Sequence, residues 1–321
     1  MAARLLARER DAVPEALNLA DDQRPGQREA AIELLDILER ESPFPGAARV
    51  GVTGAPGSGK STLLDAFVRR LRPRGESVAI VAVDPSSRRS GGALLGDRIR
   101  VRSGSTDSGV FIRSMAARER LGGLADASRA SVAILAAAFD RVFVETVGVG
   151  QSEVDVAGLV DTLVYVGHPD AGDTLQFMKA GILELPDIFV VNKADLGESA
   201  LRTAHELESG LALSRREDAG WTRRVLLVSA RDGTGVDELV DAVDAHRRQQ
   251  EESGGLRTRR RRCREAFVLE TLENRYGGYG IEALGGPQAV LDRVRDEDAA
   301  SGFALASALG REIEEALRKP A

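Results

Sequence analysis

The residues Gly54-Ala55-Pro56-Gly57-Ser58-Gly59-Lys60-Ser61 constrain this chain more than any other stretch. They match the phosphate-binding pattern G-x-x-x-x-G-K-[ST]. Ala48–Thr53 reads as a short buried strand before them, and Thr62-Leu63-Leu64-Asp65-Ala66-Phe67 opens a helical pattern behind. Glycines let the backbone fold tightly around phosphate and aim successive N–H groups at it, with a helix N-terminus behind. Lys60 is placed to reach the terminal phosphates, and the Ser61 hydroxyl to ligate Mg²⁺. The bland alternative is a glycine-rich turn that matches by accident. Only four lysines occur in the chain, which makes a lysine at this position by accident less plausible. The loop implies an α/β core and a bound nucleoside triphosphate.

From residue 46 to about 250, β-branched runs alternate with helical or loop segments. The runs are Val78–Val83, Arg141–Val144, Thr162–Val166, Asp187–Val191 and Val225–Val228. This alternation predicts a P-loop NTPase fold with a mainly parallel sheet covered by helices. Ligands in such sheets bind beyond the carboxyl ends of the strands. Residues 1–45 form a separate helical arm, in which Ala31, Leu34, Leu35 and Leu38 make one apolar stripe. Residues 251–321 form a C-terminal helical extension, a candidate dimerisation arm. It opens with six arginines between Arg257 and Arg264. That run reads as a solvated helix start or as a patch for an anionic partner.

Composition narrows the partners. At 43% apolar the chain can bury a core, and a net charge of −6 argues against general nucleic-acid binding. One cysteine, Cys263, leaves no internal disulfide and suits a reducing cytoplasm. No apolar run reaches bilayer length, and the first residues lack a signal-peptide core, so a cytoplasmic protein without membrane attachment is expected.

The segment Asn192-Lys193-Ala194-Asp195 follows the run Asp187–Val191. An ionised Asp only accepts hydrogen bonds. Guanine offers two adjacent donors, N1–H and the 2-amino group; adenine does not. Asp195 therefore selects GTP or GDP, because adenine would leave the carboxylate unpaired. Lys193 can lay its stem along the base, and Ser229-Ala230 can back the base through main-chain N–H groups. Three acids are candidates to join Ser61 around Mg²⁺: Asp84, Asp97 and Glu145. Each also reads as a turn or cap residue. Gly148 lies three residues beyond Glu145, spaced so that its N–H senses the γ-phosphate, and with Lys60, Asp97 and Glu145 it makes up the expected hydrolytic set. Val149 follows Gly148 where some GTPases place a water-orienting Gln; Gln151 is the nearest substitute, so slow intrinsic turnover is expected.

Val83-Asp84-Pro85-Ser86-Ser87, Gly91 to Arg98, Val144 to Glu153 and Gly172-Asp173 to Asp195 together resemble the MeaB/ArgK family over roughly residues 10–280. The resemblance implies a GTPase that acts as a chaperone for an adenosylcobalamin-dependent acyl-CoA mutase, notably methylmalonyl-CoA mutase, and that is generally a homodimer. It also implies a switch segment carrying Asp173, Gln176 and Lys179. The same three residues read otherwise as a capped helix start. Glu119 and Asp170 depart from the family pattern. Three other readings have less behind them, and one of them, a cobalamin-binding mutase, needs D-x-H-x-x-G where Asp244-Ala245-His246 continues Arg247-Arg248-Gln249. A nickel-insertion GTPase needs ligand clusters, whereas His168, His205 and His246 are scattered. A nucleic-acid-associated GTPase rests only on the Arg257–Arg264 run.

Overall fold

A computed structural model describes residues 1–22, 24–84, 107–116, 123–146, 152–169, 184–213, 220–297 and 300–318. The strands are β1 (Ala48–Thr53), β2 (Val78–Asp84), β3 (Val110–Ala116), β4 (Arg141–Thr146), β5 (Thr162–Gly167), β6 (Ile188–Asn192) and β7 (Arg224–Val228). The helices are α1 (Ala2–Leu6), α2 (Ala12–Asp21), α3 (Pro25–Glu41), α4 (Lys60–Leu71), α5 (Gly123–Ala138), α6 (Ser152–Ala157), α7 (Glu198–Leu213), α8 (Val236–Glu252), α9 (Gly255–Ala283), α10 (Pro287–Asp296) and α11 (Gly302–Arg318). The chain divides into two compact units. One is Ala47–Ala117 with Phe139–Leu256; the other is Met1–Gly46, Arg118–Ala138 and Arg257–Ala321.

The first unit holds a seven-stranded sheet in the order β3-β2-β4-β1-β5-β6-β7, parallel at every pairing. The expected α/β fold is therefore present. Strands buried on both faces need apolar residues at successive positions, and β6 meets that need. Its Ile188 and Val190 join Val50, Val52, Leu63 and Phe67 in one core, with Leu239 and Val243 of α8. Its Phe189 and Val191 turn the other way, onto Ala200, Ala204 and Leu207 of α7. Strand β3 is not among the apolar runs that predict the sheet. Among the described residues it pairs only with β2, and it stays partly exposed, so its sequence carries no full apolar run. At the amino end of β5 Thr162 Oγ1 and His246 Nδ1 share a hydrogen bond of 2.8 Å, and Leu163 N donates to Asp187 Oδ2 at 2.8 Å.

In the second unit the N-terminal arm consists of the three helices α1, α2 and α3. Leu34, Leu35 and Leu38 of α3 are buried as the stripe requires. Helices α9, α10 and α11 share a core of Phe267, Leu272, Val290, Val294, Leu305, Leu309 and Ile313. Helix α9 is kinked at Gly277, whose φ of 66° lies in the left-handed region that favours glycine. The arginine run is used internally. Arg257 lies 4.1 Å over the Phe44 ring, Arg260 donates to Pro45 O at 2.8 Å, and Arg264 donates to Ala300 O and Val294 O. Among the described residues no helix is long and apolar enough to cross a membrane.

Candidate nucleotide site

The phosphate loop leaves β1 at Thr53, whose hydroxyl accepts a 3.0 Å hydrogen bond from Thr146 Oγ1 at the end of β4. The turn that follows demands glycine. At Gly54, φ is +143° and a Cβ would come within 2.1 Å of Val166 O; at Gly59, φ is +91° and a Cβ would meet Asn192 Nδ2 at 2.3 Å. Pro56 and Gly57 form the exposed crest of the loop. Helix α4 starts at Lys60, so its first-turn amides, which have no intrahelical partner, point into the loop. The Lys60 ammonium is buried and donates to Gly54 O at 2.7 Å and Ala55 O at 2.9 Å. Thr62 is exposed one residue past Ser61.

Ser61 Oγ donates to Glu145 Oε1 at 2.7 Å, joining α4 to the end of β4. Glu145 is 7% exposed. Burial pushes its carboxyl above the ordinary 4.5, while the Ser61 hydrogen bond and the Lys60 charge pull it back. With its proton committed to Glu145, the Ser61 hydroxyl keeps lone pairs for a cation. A hydroxyl and a carboxylate are hard-oxygen donors of the kind Mg²⁺ takes alongside phosphate and water. The Ser58 hydroxyl, fully buried in the loop, has no hydrogen-bond partner among the described residues. An orphaned polar atom inside a glycine cradle fits a polar ligand there.

Asn192 ends β6 and ties the loops together. Its Nδ2 donates to Ser58 O at 2.8 Å, and its Oδ1 accepts from Ala230 N at 3.1 Å. Lys193 takes a left-handed φ of 62°, which turns the chain so that Asp195 follows in a short 3₁₀ turn. The Asp195 carboxylate is 16% exposed; its Oδ1 accepts from Ser229 Oγ at 2.8 Å, and its Oδ2 lies 3.1 Å from Arg231. The amides expected to back the base are already engaged: Ala230 N with Asn192, and Ser229 N with Thr234 O at 2.9 Å. The contribution of Ser229 to the acid is instead its hydroxyl.

The structure thus gathers Gly54–Ser61, Glu145, Asn192, Lys193, Asp195, Ser229 and Ala230 along the carboxyl edge of the sheet. Asp84 ends β2 on the same edge, with its side chain outside the described residues. Asp97, Gly148, Asp173, Gln176 and Lys179 also lie outside them. Arg231 and the bridging role of Asn192 escaped the sequence reading, because each depends on contacts far apart in the chain.

The sequence model of the family described as "Methylmalonyl Co-A mutase-associated GTPase MeaB" matches residues 13–276. The Escherichia coli protein named GTPase ArgK is 40% identical over 245 residues, covering 75% of this chain and 73% of its own. The mouse mitochondrial protein named methylmalonic aciduria type A homolog is 37% identical over 280 residues, covering 84% and 68%. A solved structure titled LAO/AO transport system kinase superposes with a TM-score of 0.68 at 29% identity, covering 98% of this chain and 96% of that one. A phosphate loop on a parallel α/β sheet and a match spanning most of the sequence agree, and the chain belongs to the MeaB family of GTPases.

Proposed function

We propose that this chain is a GTP-hydrolysing chaperone that gates cofactor loading and protection of an adenosylcobalamin-dependent acyl-CoA mutase such as methylmalonyl-CoA mutase. The observation that carries the reading is the match to a family named for its association with that mutase, over residues 13–276. In this account Asp195 reads guanine, Lys193 covers the base, and the loop amides with Lys60 hold the phosphates. Lys60 already caps two loop carbonyls, so a phosphate oxygen can take over one of its donors without moving the stem far. Mg²⁺, when bound, neutralises charge on the β- and γ-phosphates. Ser61 and Glu145 would hold it, with Asp84 and Asp97 as further candidates. Gly148 senses the γ-phosphate, and Asp173, Gln176 and Lys179 relay its state to the mutase.

Residues 46–250 act as the GTPase domain, with helical extensions at 1–45 and 251–321 and a homodimer in the cytoplasm. The nickel-insertion reading gains no support. His246 is buried and bonded to Thr162, and among the described residues no group of three or more His, Cys, Asp or Glu side chains is arranged to hold a metal ion. The test is steady-state GTP hydrolysis by the purified full chain with and without its mutase. Slow turnover that the mutase accelerates supports the proposal, with acceleration lost in Gln176→Ala and Lys179→Ala while GTP affinity stays. Rapid turnover indifferent to the mutase contradicts it.

A further inference from the structure

We infer that Arg231 is a movable cap on the guanine-reading carboxylate of Asp195 and so sets how tightly and how fast guanine nucleotides bind. The inference rests on the proposed role of Asp195. The Arg231 side chain, 74% exposed, stands between two acids. Its Nη2 lies 3.1 Å from Asp195 Oδ2 and 3.4 Å from Asp232 Oδ2, while its Nε donates to Asp232 Oδ1 at 2.9 Å. Asp195 Oδ1 is taken by Ser229 Oγ. Both oxygens that would read the base are therefore engaged by the chain itself.

The two engagements differ in kind. Ser229 is buried, and its hydroxyl also accepts from Asp232 N at 3.2 Å, so its orientation is fixed. Arg231 sits at the surface and has a second partner. A base that donates N1–H and a 2-amino group to Asp195 competes with a guanidinium that draws on the same negative charge and flanks the same oxygen. On release from Asp195 the cation is not stranded, because Asp232 keeps it. Asp232 is held below the usual carboxylate range by its hydrogen bond from Arg231, so it stays ionised at neutral pH. Capping and uncapping thus exchange one exposed ion pair, an interaction of small size that salt screens. Such a contact can tune affinity and exchange without blocking the site.

The cap makes the two neighbours act with opposite signs. Arg231→Ala frees Asp195, and GDP binding should tighten about two- to fivefold, the span expected of an exposed ion pair. Asp232→Ala removes the alternative partner, holds Arg231 on Asp195, and should weaken GDP binding by a similar factor. The double variant should behave like Arg231→Ala alone. The measurement is equilibrium and stopped-flow binding of a fluorescent GDP to the full chain, with Arg231→Gln as a second neutral variant and thermal melts to confirm folding. Weaker or unchanged binding in both Arg231 variants overturns the cap. Changes of the same sign at 231 and 232 also overturn it, since they mark only a damaged turn. Asp195→Asn separates the two readings. If it fails to exchange GTP preference for xanthosine triphosphate, the base assignment falls and takes the cap with it. If that exchange occurs but Arg231→Ala gives no gain, only the cap falls.

Discussion

Ser61 and Glu145, 84 positions apart in sequence, meet at 2.7 Å, and this contact joins the phosphate-loop helix to the strand that enters the candidate Mg²⁺ site. It gives a buried acid one hydroxyl donor and one nearby ammonium, against a desolvation cost that still raises its pKa. Burial of this acid therefore costs stability at neutral pH, a cost that the proposed Mg²⁺ would offset.

That balance has a pH consequence. A carboxyl whose folded pKa lies above its unfolded value binds more protons when folded. Its contribution to stability is full below the ordinary 4.5 and is lost as pH rises through the folded value. Glu145→Gln should therefore make the nucleotide-free protein more stable at neutral pH and remove this fall above pH 4.5, while weakening Mg²⁺-dependent GTP binding. Urea melts at several pH values, with and without Mg²⁺–GTP, check both halves. A variant less stable at pH 7 without nucleotide would contradict the account.

Asn192 carries two loops at once. Asn192→Ala would leave the buried Ser58 carbonyl and Ala230 amide without their partner, at about 1–3 kcal/mol each. Stability should fall by several kcal/mol and GTP affinity with it. Denaturant titration and calorimetry of the same variant check this; a loss below about 0.5 kcal/mol, within the range of ordinary surface changes, would contradict the bridge.

At the amino end of β5, His246 is bonded to Thr162 and packs edge-on against Trp221, with ring centroids 4.8 Å apart. His246→Ala removes the hydrogen bond and the ring together and should destabilise the protein by about 2–4 kcal/mol. It should leave GTP affinity in the folded protein unchanged. Melting curves paired with nucleotide titration separate the two effects.

Which parts of this protein can be read from its sequence follows from how local each feature is. The phosphate loop lies in eight adjacent residues, and its strand and helix flanks are adjacent too, so Gly54–Ser61 is legible at once. Asn192–Asp195 is equally compact. The parallel sheet is legible because strands buried on both faces write continuous apolar runs, as Ile188–Val191 does. Strand β3 has one neighbour among the described residues and a partly exposed face, and leaves no such trace. The breaks between α1, α2 and α3 fall between short amphipathic segments whose periodicity blurs into one arm. Tertiary contacts are the least legible. Asn192 reaches Ser58 across 134 positions, and Asp195 meets Ser229 across 34. Arg231 looks like any surface arginine until the fold sets it beside Asp195.

The measurement that bears most directly on the account is competitive calorimetry of GTP, ATP and xanthosine triphosphate on the full chain and on Asp195→Asn. An ionised Asp195 accepts both donors of guanine; an Asn amide can instead donate to the carbonyl at position 2 of xanthine. The account expects the natural chain to bind GTP far more tightly than ATP or xanthosine triphosphate, and Asp195→Asn to lose GTP and gain xanthosine triphosphate. ATP binding as tight as GTP, or a variant that keeps its GTP preference, would contradict it.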